Sequence, residues 1–170
     1  MDAHYFIALP IVDEQLIQFA TPLRLEQYYK TVYEPDEYHL TLRFLGALTE
    51  TELADWRTRL SDLVETVPGL TLHLDHLERF GVAERPRVFA VGPALNDQLL
   101  QLAQKIDPTP SRPFLPHVTL AKKWRQEVTL LPPEGIPASC VDVNEIILYK
   151  ICPTSRPRYQ ADTRFQFGKK

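Results

Sequence analysis

Two short strings constrain what this chain can fold into: "HLTL" at residues 39–42 and "HVTL" at 117–120, separated by 78 residues. Each sits in a strand-like run, "YHLTLRFLG" and "PHVTLAKK". Strand side chains alternate between faces, so His39, Thr41 and Arg43 are expected together, with Leu40, Leu42 and Phe44 turned to the core. The second copy is expected to align His117, Thr119 and Lys123 against Val118 and Leu120. A period of 78 residues is too long for a solenoid, so two similar lobes facing one another are the economical architecture.

The remaining elements fit two interleaved sets of strands and helices. "HYFIALPI" at 4–11 reads as a strand ended by Pro10, followed by a short amphipathic helix over 12–19 that Pro22 stops. The first motif strand is expected over 38–45, with Gly46 as its stop. The strongest helix signal follows it. Thr49 and Glu52 have capping-box spacing, Leu53, Trp56, Leu60, Leu63 and Val64 recur at helical period, and Pro68 and Gly69 close the segment.

Residues 70–80 alternate apolar and polar, "RVFAVG" at 87–92 is their expected neighbour, and "GVAERP" is the expected hairpin loop. A second helix is expected over 94–106, with Leu95, Leu99, Leu102 and Ile106 on one side. The Pro-rich bend "DPTPSRPFLP" leads to the second motif, the loop "LPPEGIP" follows, and "VDVNEIILYKI" and "RYQADTRFQF" are two final strand candidates.

Composition narrows the class. A formal charge of −3 and a pI near 5.9 argue against bulk electrostatic binding of long nucleic acid but leave room for a local basic pocket. Cys140 and Cys152 lack metal-ligand spacing and read as free thiols. No run reaches the roughly 18 apolar residues of a membrane span, and the start lacks a secretory signal, so a complete cytoplasmic chain is expected. There is no glycine-rich phosphate loop and no nucleophile turn, and neither metal nor cofactor is expected.

His73, Asp75 and His76 do not make a metal set, because alternation puts His76 on the face opposite the other two. His4 reads as a terminal surface residue, and Arg87 as either a surface strand cation or a phosphate helper. Phe80, Phe89, Phe114, Trp124 and Tyr149 offer faces for a base, although aromatic side chains more often fill cores.

The duplicated motif carries the chemistry. Imidazole moves protons near neutral pH, so two histidines on opposite sides of a reacting centre supply one base and one acid. Threonine hydroxyls and a nearby cation hold phosphate oxygens and stabilise charge developing in a transition state. The set describes phosphodiester chemistry that needs no metal.

On "HLTLRFLG", "PHVTLAKK", the "FIALP" start, "RPRVFAVG" and "VNEIILYK", the chain resembles the 2H phosphoesterases, specifically the bacterial RNA 2′,3′-cyclic phosphodiesterase group, also called 2′-5′ RNA ligases. The resemblance implies an α+β fold, one bilobal domain over residues 1–170. Two antiparallel sheets with outer helices would flank a central cleft with approximate two-fold symmetry. It implies catalytic histidines at His39 and His117 and phosphate-binding threonines at Thr41 and Thr119. Many relatives carry arginine shortly after the second motif, where this chain has Lys122 and Lys123; these and Arg43 are the candidate phosphate helpers. Lysine keeps the charge but loses the planar fork.

The expected reaction is hydrolysis of a terminal 2′,3′-cyclic phosphate to a 2′-phosphate, on RNA ends or small cyclic-phosphate nucleotides. The resemblance puts the acid on His39 and the base on His117. The alternatives are 2′-5′ ligation by the same pair in reverse, and a non-catalytic module that binds RNA ends or nucleotides. A monomer is expected.

Overall fold

Thr49 caps the longest helix as its spacing with Glu52 requires: its side chain accepts from the Glu52 amide at 3.2 Å, and the Glu52 carboxylate accepts from the Thr49 amide at 3.0 Å. The computed structural model describes residues 3–82, 85–125, 137–155 and 157–168. Three α-helices are present there: α1 Glu14–Ala20, α2 Glu50–Val64 and α3 Asp97–Ile106. The strands are β1 His4–Pro10, β2 Tyr29–Val32, β3 His39–Ala47, β4 Leu70–Val82, β5 Arg85–Pro93, β6 Val118–Trp124, β7 Ser139–Val143, β8 Glu145–Ile151 and β9 Tyr159–Gln166.

The strands pair antiparallel in the order β7-β4-β5-β6-β3-β1-β8-β9, with β2 added to β6. Outward from the centre, β6 answers β3, β5 answers β1, β4 answers β8 and β7 answers β9. The α+β architecture and its approximate two-fold symmetry are therefore as expected. The two lobe sheets join edge to edge through one register position, Leu40 of β3 opposite Val118 of β6. Both residues are fully buried, which is worth roughly 1.5–3 kcal/mol for each side chain.

The lobes are not successive halves of the chain. One contains β4, β5, β6 and β7; the other contains β1 and β3 together with the C-terminal β8 and β9. The crossing falls at Asn144, so "VDVNEIILYKI" is two strands, the end of β7 and all of β8, rather than one. The β7 part pairs with β4 and the β8 part with β1.

Helix α2 packs against β9, fixed by Arg57, which donates to both Asp162 carboxylate oxygens at 2.9 Å and 2.7 Å. That guanidinium holds the Asp162 carboxyl below its ordinary range. Helix α3 packs against β3 through a buried face of Leu99, Leu102, Ala103 and Ile106. Leu95 does not join that face. It precedes the capping residue Asn96, outside the helix, and is 88% exposed.

Two further differences from the sequence reading are local. The strands of the "GVAERP" hairpin continue to Val82 and resume at Arg85, because β4 and β5 pair to their ends, Val82 opposite Arg85. Residues 83–84, and most of the "LPPEGIP" loop, lie outside the described residues. Strand β2, not expected from the sequence, extends the edge of β6 at Ala121–Trp124, beyond the point where β3 leaves it.

Candidate active site

The seam between the lobes brings the two motifs together. With Leu40 opposite Val118 in antiparallel register, His39 faces the position of Thr119 and Thr41 faces that of His117. All four are half-buried, while Leu40, Leu42, Val118 and Leu120 are buried beneath them. One register thus sets each imidazole beside the hydroxyl of the other copy.

The rings are held in matching ways. His39 Nδ1 donates to the Glu37 carbonyl at 2.7 Å, and His117 Nδ1 donates to the Leu115 carbonyl at 2.8 Å. A carbonyl only accepts, so the hydrogen of each neutral ring is on Nδ1 and the lone pair is on Nε2. Each Nε2 can take a proton, or give one when the ring is charged.

Their surroundings differ. His39 lies among Phe6, Tyr159, Tyr149 and Tyr33, with ring centroids at 5.1, 5.2, 5.9 and 6.5 Å. Burial there pushes the His39 pKa below its ordinary value. The Glu37 carbonyl opposes the shift, and the nearby charges of His117 and Lys122 add to it. His117 has Phe80 at 4.9 Å. Burial raises the Tyr149 and Tyr159 phenols to about 12, so both are neutral at physiological pH, and Tyr33 and Tyr159 share a hydroxyl contact of 3.2 Å.

The cations are sorted by a feature that alternation did not foresee. In β6, Thr119 pairs with Ala90 and Ala121 with Phe89, leaving Leu120 as an extra residue in a bulge. Leu120 and Ala121 are both buried, and the parity beyond them inverts. Lys122 therefore shares the face of His117 and Thr119. Its ammonium lies 5.5 Å from the Tyr33 ring, and its charge acts on His39. Lys123, expected on that face, is instead exposed, with a left-handed φ of 65°.

The first copy has the same bulge. Thr41 pairs with Ala8 and Arg43 with Ile7, leaving Leu42 as the extra residue. Phe44 consequently does not go to the core: it is 60% exposed, in the position corresponding to Lys122. Arg43 is half-buried and already engaged, donating to the Ile106 carbonyl at 2.9 Å and lying 3.6 Å from the Asp107 carboxylate. It also stacks over Trp56 at 5.1 Å.

Sequence reasoning missed Phe6, Tyr33 and Tyr159, which reach His39 from three separate strands or loops. It also missed Arg158, whose guanidinium lies 6.0 Å from the Tyr33 ring and 5.7 Å from the Tyr159 ring, the same two rings that flank His39. Its Nε is buried without a hydrogen-bond partner among the described residues. Nothing local in "RPRYQ" marks this arginine as different from the others.

Of the other aromatic candidates, Phe89 is fully buried, Trp124 packs on Tyr28 and Tyr29, and Phe114 lines an open trough. That trough, about 780 Å³, adjoins Thr41 and His117 and runs past Phe44 and Arg43 to α3 and the Pro-rich bend.

His76 does not face away from Asp75. A bulge at Asp75 turns both outward, and the His76 ring bonds Asp75 at 2.7 Å and Glu78 at 2.9 Å. These carboxylates raise the His76 pKa. His4 is exposed, with Phe44 at 6.1 Å, and both cysteines are free thiols. Among the described residues, no three His, Cys, Asp or Glu side chains group as metal ligands, and no helix is long and apolar enough to cross a membrane.

Known proteins resemble this chain in sequence and fold. The family model described as LigT like Phosphoesterase matches residues 9–90. An RNA 2′,3′-cyclic phosphodiesterase of Bacillus subtilis (strain 168) is 28% identical, the match covering 97% of each chain. One of the same name from Geobacillus stearothermophilus is 29% identical over 96% of this chain, which spans 57% of that relative's length. E. coli LigT complexed with 3′-AMP superposes with a TM-score of 0.78 at 25% identity, covering 99% of this chain and 100% of that one. A Thermus thermophilus protein shares the fold with a TM-score of 0.80 at 22% identity, covering 98% and 99%.

The chain is thus similar to the LigT-like phosphoesterases of the 2H phosphoesterase superfamily, over residues 9–90 by the family model and over nearly its whole length by its relatives.

Proposed function

We propose that the protein is an RNA 2′,3′-cyclic phosphodiesterase that uses His39 and His117 as a general acid and base and needs no metal. The observation that carries this reading is the matched tethering of the two imidazoles, which leaves an Nε2 free on each. The names of the relatives support the same substrate class.

Neutral His117 takes a proton from water as the water oxygen bonds to phosphorus. The bond from phosphorus to O3′ breaks, and charged His39 gives its Nε2 proton to O3′, leaving a 2′-phosphate and a 3′-hydroxyl. Proton exchange with solvent resets the pair. The burial that lowers the His39 pKa makes its imidazolium a stronger acid, and the negative phosphate supplies the charge that loads it. Thr41 and Thr119 hold the non-bridging oxygens, and Lys122 and Arg158 provide positive potential on the His39 side.

The test is an oligoribonucleotide ending in a 2′,3′-cyclic phosphate, incubated in excess chelator with wild type, His39→Ala and His117→Ala. Conversion to the 2′-phosphate is expected, with a loss of roughly 10²–10⁴-fold in each variant. Wild-type protein that binds the end and leaves it intact would make this a binding module.

A further inference from the structure

The two histidines are reached by segments of unlike construction. The approach to His39 is braced: β2 pairs with β6, and the 3₁₀ turn Pro35–Glu37 ends in the carbonyl that holds the ring. The approach to His117 has no such support. Residues 107–117 form neither helix nor strand, and among the described residues no backbone–backbone hydrogen bond involves residues 108–115. Yet this segment carries the Leu115 carbonyl, which holds the His117 ring at 2.8 Å.

Its anchor lies at the far end, where α3 stops. Arg43 Nη1 donates to the Ile106 carbonyl at 2.9 Å, and Arg59 Nη2 donates to the Lys105 and Ile106 carbonyls, both at 3.0 Å. The last carbonyls of a helix lack partners within it and form its negative end, so guanidinium groups suit them on both counts. Both guanidinium groups also lie over the Trp56 ring, at 5.1 Å for Arg43 and 4.5 Å for Arg59. Stacking of that kind fixes the direction in which a planar fork points.

This clamp joins the lobes. Helix α3 links β5 to β6, whereas Arg43 is on β3 and Trp56 and Arg59 are on α2, which packs against β9. From the clamped end the chain reaches His117 through Pro108, Pro110, Pro113 and Pro116, whose fixed φ angles leave it little slack. Neither Trp56 nor Arg59 lines the trough beside the histidines.

We propose that Arg59 and Trp56 are positioning residues for His117: with Arg43 they fix the end of α3, and the proline-rich bend passes that placement to the Leu115 carbonyl. Only the consequence for turnover rests on the phosphodiesterase reading. His39, tethered on a different segment, is the internal control.

Imidazole ¹⁵N NMR of the free protein tests the placement without turnover. Both neutral wild-type rings are expected to carry their hydrogen on Nδ1, because each tether is a carbonyl. In Arg59→Ala and Trp56→Leu the His117 ring should share its hydrogen between the two nitrogens, with His39 unchanged. Arg59 is exposed, so its truncation spares the core. On an oligoribonucleotide ending in a 2′,3′-cyclic phosphate, kcat should fall by about ten-fold or more, since a misplacement of roughly 1 Å can cost 10²-fold. Inorganic phosphate should bind as to wild type, and Arg59→Lys, which keeps a donor for the carbonyls, should recover part of the loss.

A His117 tautomer unaltered in either variant, or a His39 ring altered to the same extent, would overturn the inference. So would wild-type kcat in Arg59→Ala. A wild type inactive on the cyclic phosphate, with the His117 ring alone responding to the substitutions, would overturn the reaction and leave the positioning role standing.

Discussion

His39 and His117 each donate Nδ1 to the carbonyl two residues upstream, at 2.7 Å and 2.8 Å, but four aromatic rings surround the first and Phe80 the second. The tethers are alike and the environments are not, and burial among its rings pushes the His39 pKa down. His39 is expected to titrate below the ordinary value of about 6.5 in an imidazole NMR titration of the free protein. Lys122→Gln removes a charge that disfavours the imidazolium, so it should raise the His39 pKa. A His39 signal titrating at or above the ordinary value would contradict this account of the site.

The same shift sets a sign for stability. Because folding depresses the His39 pKa, the unfolded chain binds its proton first as pH falls, and stability drops between about 6.5 and the folded value. His76 acts oppositely: its pKa is raised by Asp75 and Glu78, so its contribution is present below about 6.5 and lost as pH climbs through the raised value. Urea melts from about pH 5 to 8 should show a shallower acid-side decline in His39→Gln than in wild type, and a steeper one in His76→Gln. Unchanged slopes in both variants would count against the shifts.

Lys122 and Lys123 should separate cleanly in phosphate affinity. Lys122→Ala is expected to weaken inorganic phosphate several-fold, and Lys123→Ala to leave it near wild type. Lys123→Gly relieves a left-handed backbone conformation and should stabilise the fold by a few tenths to about 1 kcal/mol in denaturant melts. Equal phosphate losses at the two lysines would mean that the Leu120 bulge does not sort them.

Arg43 is predicted to hold the structure more than the substrate. Its guanidinium ties β3 to the end of α3, so Arg43→Ala should cost about 1 kcal/mol in unfolding free energy, allowing for its partial exposure. A loss of phosphate affinity in a variant of unchanged stability would reverse that assignment.

The elements with strong local signals were legible: the Thr49 and Glu52 capping box, the alternation of β4 as far as its bulge at Asp75, and the buried face of α3 apart from Leu95. The motif string likewise pointed to both histidines, because its repetition is visible in the linear sequence. What was hidden depends on pairing. The bulges at Leu42 and Leu120 carry no glycine to announce them, yet each inverts the faces of the residues that follow it directly. That is why Phe44 and Lys123 were expected on the wrong sides. The ring cluster around His39 draws on residues 6, 33, 149 and 159, whose approach follows from strand order and leaves no mark in any single window. Strand β2 is four residues long and exists by virtue of the β6 edge it joins.

The crossing at Asn144 has a consequence for how the molecule is made. Synthesis proceeds from the N-terminus at roughly 5–20 residues per second. The lobe of β4 to β7 has all its strands once residue 143 has emerged, while β1, made before any of them, still lacks its β8 partner. Strands made before the β4 to β7 lobe thus belong to the lobe that closes after it. Until the final strands arrive, the hydrogen-bonding edge of β1 that β8 will cover stays open, and His39 waits without the rings of Tyr149 and Tyr159 that complete its surroundings.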